Sequence, residues 1–317
     1  MSSPSRLLSF AKACWGVVKS VVPKFSNKFS KKIYTQHQHL AILCLMKYLK
    51  MHYRDVIDLL KETPGIRKIL GLKKLPHFTT PNKFLLRIST TVLEFVLNKT
   101  ASLFAVTKSV AGIDSSGYTQ RHASRYYTKR CELRKTYLKN SICIDTKNQI
   151  IMTSRQSNGN SHDTLFFPSL LTRSSFLFPV SNVVADKAYD SSKNRNFANS
   201  LGITPVIPYK ECTKIIPASN RKLNKRIYHR RSLVETVFSV IKRKFDDTVH
   251  STRFDNQKKE AKILDIVYNL YKYAQMMDYL LIGFLRSRGF YDDRGKEIDI
   301  TEATTDEIKN LRYPPSF

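Results

Sequence analysis

The sequence predicts an α/β chain, with a mixed sheet flanked by helices following an all-helical segment. Three observations carry that expectation. Apolar residues recur with helical period from Thr35 to about Leu97, strand-like runs begin after Val106, and from Asp163 onward helical stretches alternate with short apolar runs. The chain has 317 residues, 42% of them hydrophobic, enough to bury a sizeable core in one large domain or two moderate ones.

Residues 1–33 read as a basic arm. The first acidic residue is Asp55, and Arg6, Lys12, Lys19, Lys24, Lys28, Lys31, Lys32, Lys47, Lys50 and Arg54 precede it. Leu7, Ala11, Trp15, Val18 and Val22 follow helical spacing with lysines between them. Lys12 and Lys19 interrupt the apolar run, which therefore does not span a membrane. Helix packing or DNA contact is the expectation, with membrane-surface binding the weaker alternative. In residues 34–105, Tyr34 to Leu49 and Tyr53 to Leu60 read as helices, and Pro64 stands where another could start. Thr79, Thr80 and Pro81 open a helix expected to run through Phe84, Leu85, Ile88, Val92, Phe95 and Val96. Short helices and tight turns in a basic context point to a DNA-binding region like a helix-turn-helix, with a plain helical bundle as the alternative.

Residues 106–280 form the second region. "SVAGIDSSG" is an apolar run that stops at Asp114, and "YLKNSICIDTKNQIIMTSRQ" reads as a hairpin turning at Thr146, Lys147 and Asn148. A helix from Asp163 to Leu171, a strand "NVVADK", a helix near Ser191 to Leu201, a strand "TPVIPYK" and a helix through "YHRRSLVETVFSVIKRK" complete it. The order β-β-β-α-β-α-β-α is that of ribonuclease H-like folds. Residues 281–317 are a less basic tail in which "YDDRGKEIDI" reads as a short hairpin or loop.

Charge narrows the function. Lys and Arg number 54 against 25 Asp and Glu, a formal +29, too lopsided for an ordinary metabolic enzyme and typical of a protein whose partner is a polyanion, nucleic acid first. Cys14, Cys44, Cys131, Cys143 and Cys212 are an odd set without a C-x-x-C pair. They argue against a disulfide framework and a structural zinc site, and for a reducing cytoplasm.

The chemistry is sought among the acids. Asp114 and Asp186 each end an apolar run, and strand ends are where ligand-handling side chains emerge in such sheets. An Asp there is more often a turn former or cap, so neither means much alone. Glu235 stands among cations. Wound at ~100° per residue, its segment buries Val234, Val237, Phe238, Ile241 and Phe245, while Tyr228, Arg231, Glu235 and Lys242 fall in one line beside that stripe. An exposed Arg231–Glu235 pair would explain the line equally well. Three carboxylates from two strand ends and a helix nevertheless suit two-metal phosphoryl transfer with Mg²⁺. Asp145 reads instead as a turn residue, Asp163 as a helix start and Asp190 as a cap; His162 could approach the site, but Ser161 capping a helix is the simpler account of its neighbourhood.

Tyr228, Arg231, Glu235 and Lys242 reproduce Y-x2-R-x3-E-x6-K without a gap, and in this the chain resembles a group of prokaryotic insertion-sequence transposases of the DDE superfamily. "GIDSSG" is similar to that family's first-aspartate strand and "ADKAYDS" to its second motif, D-x-G-Y-D, with Ala188 replacing the glycine. "NGNSHDT" is similar to a further family motif. The resemblance covers about Val106 to Met277. It implies that Asp114, Asp186 and Glu235 hold two ions, Mg²⁺ or Mn²⁺, that Arg231 and Lys242 bind phosphates near the cleavage site, and that Tyr228 positions a transposon-end phosphate. The large β-rich insertion of longer relatives is absent between Asp186 and Glu235. A basic stretch with Lys210, Lys214, Arg221, Lys222, Lys225 and Arg226 stands there and is expected along the DNA. The implied protein binds terminal inverted repeats, cleaves DNA and transfers strands, acts as a homodimer on two transposon ends and target DNA, and works at the nucleoid of a prokaryotic cytoplasm. A stand-alone ribonuclease H-like nuclease or resolvase and a non-catalytic DNA-binding relic are the alternatives.

Overall fold

The computed structural model of the chain describes residues 5–120, 137–210 and 220–287; the "YDDRGKEIDI" segment and Lys214 lie outside them. Six helices come first: α1 (Arg6–Val21), α2 (Gln36–Tyr48), α3 (Tyr53–Glu62), α4 (Pro64–Ile69), α5 (Thr79–Arg87) and α6 (Thr90–Ala101). The remaining elements are β1 (Ser109–Gln120), β2 (Leu138–Asp145), β3 (Ile150–Asn158), α7 (Phe167–Leu177), β4 (Val180–Ala185), α8 (Ser192–Ser200), β5 (Thr204–Val206), α9 (Lys225–Tyr228), α10 (Ser232–Lys244), β6 (Thr248–Val249) and α11 (Phe254–Ser287).

Local chemistry sets several of these boundaries. Thr35 and Gln38 exchange side-chain and backbone hydrogen bonds in a capping box that starts α2, and Pro64 occupies the first turn of α4. The single helix expected from Thr79 to Val96 is two. Ile88 is extended at ψ 135°, and the Ser89 hydroxyl accepts the Val92 N–H to begin α6. The break turns the second helix so that Phe95 is 59% exposed. Residues 1–33 are not simply an arm, because α1 buries Phe10, Ala11, Cys14, Val17 and Val18 and packs against α2, α6 and α11.

The sheet has the order β3-β2-β1-β4-β5, with β6 pairing the far end of β1. β1 and β2 are antiparallel, as are β2 and β3, whereas β1, β4 and β5 run parallel. Helices cover both faces. On one, α7 and α8 close over Ala111, Ile113, Cys143, Met152, Val183 and Ala185. On the other, α10, α11 and the N-terminal helices share one core with Tyr118, Ile142, Ile144 and Ile151. The boundary expected at residue 33 falls in the exposed segment between α1 and α2, two helices that share one core, and α11 crosses the one expected at 280.

Neither β6 nor α11 follows from the sequence. β6 is two residues long. The helical stripe of α11 is masked by buried polar residues, among them Lys259, Glu260, Lys262, Asp265 and Asn269. Each of these has partners. Asn269 donates to the Ile151 carbonyl and accepts from its N–H at the open edge strand β3. Asp265 accepts from Asn140 and Gln156, and Glu260 pairs with Lys47 of α2 at 2.7 Å while accepting the N–H groups of His250 and Ser251. Burying such groups costs stability unless they are satisfied, so these bonds fix how α11 lies across the sheet. Among the described residues no helix is long and apolar enough to cross a membrane.

Gly112 governs how closely α10 approaches β1. A Cβ there would meet Val234 Cγ2 at 2.6 Å and Thr146 Cγ2 at 3.2 Å. Gly112→Ala is expected to lower stability by about 1–3 kcal/mol, as overpacking does, in urea denaturation. An unchanged midpoint would show that α10 can retreat freely.

Candidate active site

Asp114 and Asp186 are neighbours because β1 and β4 pair in parallel with Ile113 opposite Ala185. Each acid follows that pair by one residue, on strands ~4.8 Å apart; Asp186 stands just past the end of β4 as expected, but Asp114 lies within β1, which continues to Gln120 by pairing with β2 and β6, and is not at a strand end. Alternation places them on the face covered by α10, since Ile113 and Ala185 point into the opposite core and Gly112 faces Val234. Their backbones are pinned: Ser115 N–H donates to Asp114 Oδ1 at 2.8 Å and Lys187 N–H to Asp186 Oδ1 at 2.6 Å.

Glu235 arrives from α10. The segment expected as one helix is three pieces, α9, a 3₁₀ turn over His229–Arg231, and α10 starting at Ser232. The buried stripe Val234, Val237, Phe238, Ile241 and Phe245 is as expected. Arg231, at the N-cap of α10, bridges the acids. One guanidinium nitrogen lies 2.8 Å from Glu235 Oε1 and another 3.8 Å from Asp114 Oδ2. Burial disfavours its charge, but Glu235, Tyr228, Asp186 and Asp114 together outweigh that and raise its pKa. Four expected site residues, Asp114, Asp186, Tyr228 and Glu235, thus gather electrostatically around a fifth.

The same crowding acts on Asp114. Its carboxyl is pushed up to about 6 on balance: burial raises it most, the Ser115 N–H and Arg231 pull it down, and the charges of Asp186 and Glu235 raise it by less. Lys242, half-buried on α10, sits 5.6 Å from the centre of the Tyr118 ring, and burial lowers its ammonium pKa. Lys210, Arg221, Lys222, Lys225 and Arg226 are exposed.

The donor set is all carboxylate oxygen, which suits hard divalent ions, and an Asp114 carboxyl held up by burial and like charges is a group that a cation would relieve. As placed, Glu235 is committed to Arg231, and no three His, Cys, Asp or Glu side chains among the described residues are grouped as ligands for one ion. The chemistry of the donors fits Mg²⁺ or Mn²⁺, provided that Glu235 exchanges Arg231 for the ion.

Several acids take the structural roles expected or others. Asp145 is buried and accepts from Ser109 and from the Asn148 N–H at the hairpin turn. Asp163 opens a 3₁₀ turn and pairs with Lys139. Asp190 is not a cap; Ser191 caps α8, and Asp190 binds Arg195 and the Lys210 N–H. Ser161 is not a cap either, its carbonyl accepting from Lys139, and His162 is exposed. Sequence reasoning missed Ser115 and Tyr189. Ser115 Oγ lies 2.7 Å from Ser141 Oγ and 2.8 Å from the buried Tyr189 hydroxyl, which ties the loop after Asp186 to β1. The available signal was the tyrosine of "ADKAYDS".

Residues 106–270 match the family model described as Transposase DDE domain. No curated protein matches the chain. Among solved structures, a cryo-EM structure of the piggyBac transposase synaptic complex with hairpin DNA aligns over 99% of this chain and 84% of that one, with a TM-score of 0.46 and 11% identity.

Asp114 ties stability to pH. Its folded-state pKa is raised, so its contribution is fully present below pH ~4 and is lost as pH rises through about 6. With divalent ions chelated, Asp114→Asn is expected to melt like the native chain at pH 4 and to be more stable above pH 6, by about 2–3 kcal/mol. Equal melting across that range would mean that the carboxylate is not strained.

Proposed function

The chain belongs to the transposase DDE-domain family, and from that premise we propose that it is the DNA transposase of an insertion sequence, in the group carrying the Tyr228, Arg231, Glu235, Lys242 line. The observation that carries the reading is the gathering of Asp114, Asp186 and Glu235 around Arg231. The strand order β3-β2-β1-β4-β5, in which β2 alone runs against the other four, supports a ribonuclease H-like catalytic domain over 106–280. Within 34–105, the short capped helices are read as a helix-turn-helix-like region for the terminal inverted repeats.

Asp114, Asp186 and Glu235 would hold two Mg²⁺ or Mn²⁺ ions. When bound, these activate the attacking water or 3′ hydroxyl and stabilise the leaving oxygen. The protein's own groups do the rest. Arg231 offsets the mutual repulsion of the acids in the free protein; its planar fork of donors can turn to a phosphate beside the scissile bond when Glu235 releases it. Lys242 carries a partly desolvated charge, which a phosphate neighbour would favour. Tyr228, next to Arg231, would set the phosphate of the transposon end. Lys210, Lys214, Arg221, Lys222, Lys225 and Arg226 would follow the duplex beyond it. The partners are the element's ends and target DNA, held by a homodimer, and the setting is the nucleoid of a prokaryotic cytoplasm.

Cleavage of a duplex carrying the DNA that flanks the coding region, with Mg²⁺ or Mn²⁺, tests this. Asp114→Asn, Asp186→Asn and Glu235→Gln should each lower strand cleavage by roughly 100-fold or more, the scale on which loss of a metal or charge-stabilising group acts, while binding persists. Variants that cut at the native rate would place the chemistry elsewhere, and a native chain that binds these ends without cutting them would be a binding protein.

A further inference from the structure

A concavity of about 370 Å³ opens at the N-terminal ends of β1 and β4, the strands that lead to the two aspartates. Its lining includes Lys108, Arg226, Arg230, Asn182, Asn224 and Ser181, and no carboxylate. Lys108 precedes β1, Ser181 and Asn182 begin β4, and Arg226 belongs to α9. All three cations are exposed, and none pairs with an acid among the described residues, whereas Arg231, the residue after Arg230, does. Three unneutralised cations with amide and hydroxyl groups between them form a surface for phosphate oxyanions.

The 3₁₀ turn over His229–Arg231 links this groove to the acid site. Successive residues of such a turn diverge by about 120°. Arg231 accordingly reaches Asp114 and Glu235, while Arg230 lines the groove. Val110, on the groove floor, is four residues before Asp114 on β1. At ~3.3 Å per residue that is ~13 Å, equivalent to about four base steps along a duplex.

We propose that this groove is a second phosphate clamp, holding the backbone of duplex DNA within about four base pairs of the bond cut at the acid site. Lys108 and Arg230 thereby acquire a role alongside Arg226, and α9 with its following turn becomes the bridge along which the DNA leaves the carboxylates. The inference rests on the transposase reading and names a DNA contact which that reading does not require.

Binding of the full chain to a generic linear DNA duplex, followed between about 50 and 200 mM salt, tests it. Removing one phosphate-binding cation should reduce the slope of log K against log salt by about 0.9. The triple change Lys108→Ala, Arg226→Ala and Arg230→Ala should therefore flatten it by about 2–3, and Lys108→Ala or Arg230→Ala alone by about 1. The single variants carry the test if the triple one melts early. Asp114→Asn should leave the slope high while losing cleavage. An unchanged slope in the three-cation variant overturns the clamp and leaves the function standing, as does flattening seen with duplex RNA but not with DNA. Cleavage retained by Asp114→Asn overturns the reading beneath it, whatever the slope does.

Discussion

The site depends on one guanidinium. Arg231 stands between Asp114 and Glu235, and its raised pKa draws on both of them, on Asp186 and on Tyr228. Burial is the main reason the Asp114 carboxyl is pushed up to about 6, the Ser115 N–H and Arg231 draw it back, and the like charges of Asp186 and Glu235 add a smaller push that Arg231 opposes. The cluster is tolerable but not relaxed. A surface pair of Arg and Glu is worth little by itself; the interaction matters here because removing it would leave like charges facing each other in a setting of reduced dielectric.

The fold enforces this proximity at several scales. Parallel pairing of β1 with β4 makes the two aspartates adjacent without any loop having to close. Gly112 lets α10 lie against β1, so that Val234 packs where a side chain would otherwise stand and Glu235 follows at the margin of the core. The polar bonds of α11 then hold the sheet on the face that α10 also covers. Asn269 occupies the open edge at Ile151, and Asp265 gathers Asn140 and Gln156. Glu260 ties Lys47 of the helical region to the segment after β6. Such buried groups fix one arrangement because any displacement leaves a charge or amide unpaired.

Much of this was legible in the sequence, and the reason is periodicity. Asp114 and Asp186 end apolar runs, and the strands and helices from Ser109 to Lys244 occur in the order the sequence implies. The Tyr228, Arg231, Glu235, Lys242 spacing anticipated the Arg231–Glu235 pair. What was not legible depends on tertiary contact or on a single local bond. Ser89 divides a helix through one hydroxyl. α1 looks like a charged arm until its opposite face meets α11, and α11 hides its stripe behind buried polar residues that acquire partners only on folding. The Ser115–Tyr189 contact could not be read even though Tyr189 stands in the second motif, because a hydroxyl contact across 74 positions has no period.

Charge poses a last constraint. The chain as a whole is strongly cationic, yet the site at which we propose that a phosphodiester is cut is the place where carboxylates collect. A DNA backbone approaching Asp114, Asp186 and Glu235 meets repulsion at short range, so the attraction that draws it in has to come from groups set apart from them. In about 0.1 M salt, exposed charges more than ~10 Å apart are largely screened from one another. Cations one strand-length away, at the foot of β1 and β4, can therefore bind phosphate without being neutralised by the acids, whereas Arg231, in contact with them, is already committed. In the proposed reading, a turn that separates Arg230 from Arg231 divides two tasks that one arginine could not perform at once: offsetting the carboxylate cluster and gripping the polymer brought to it.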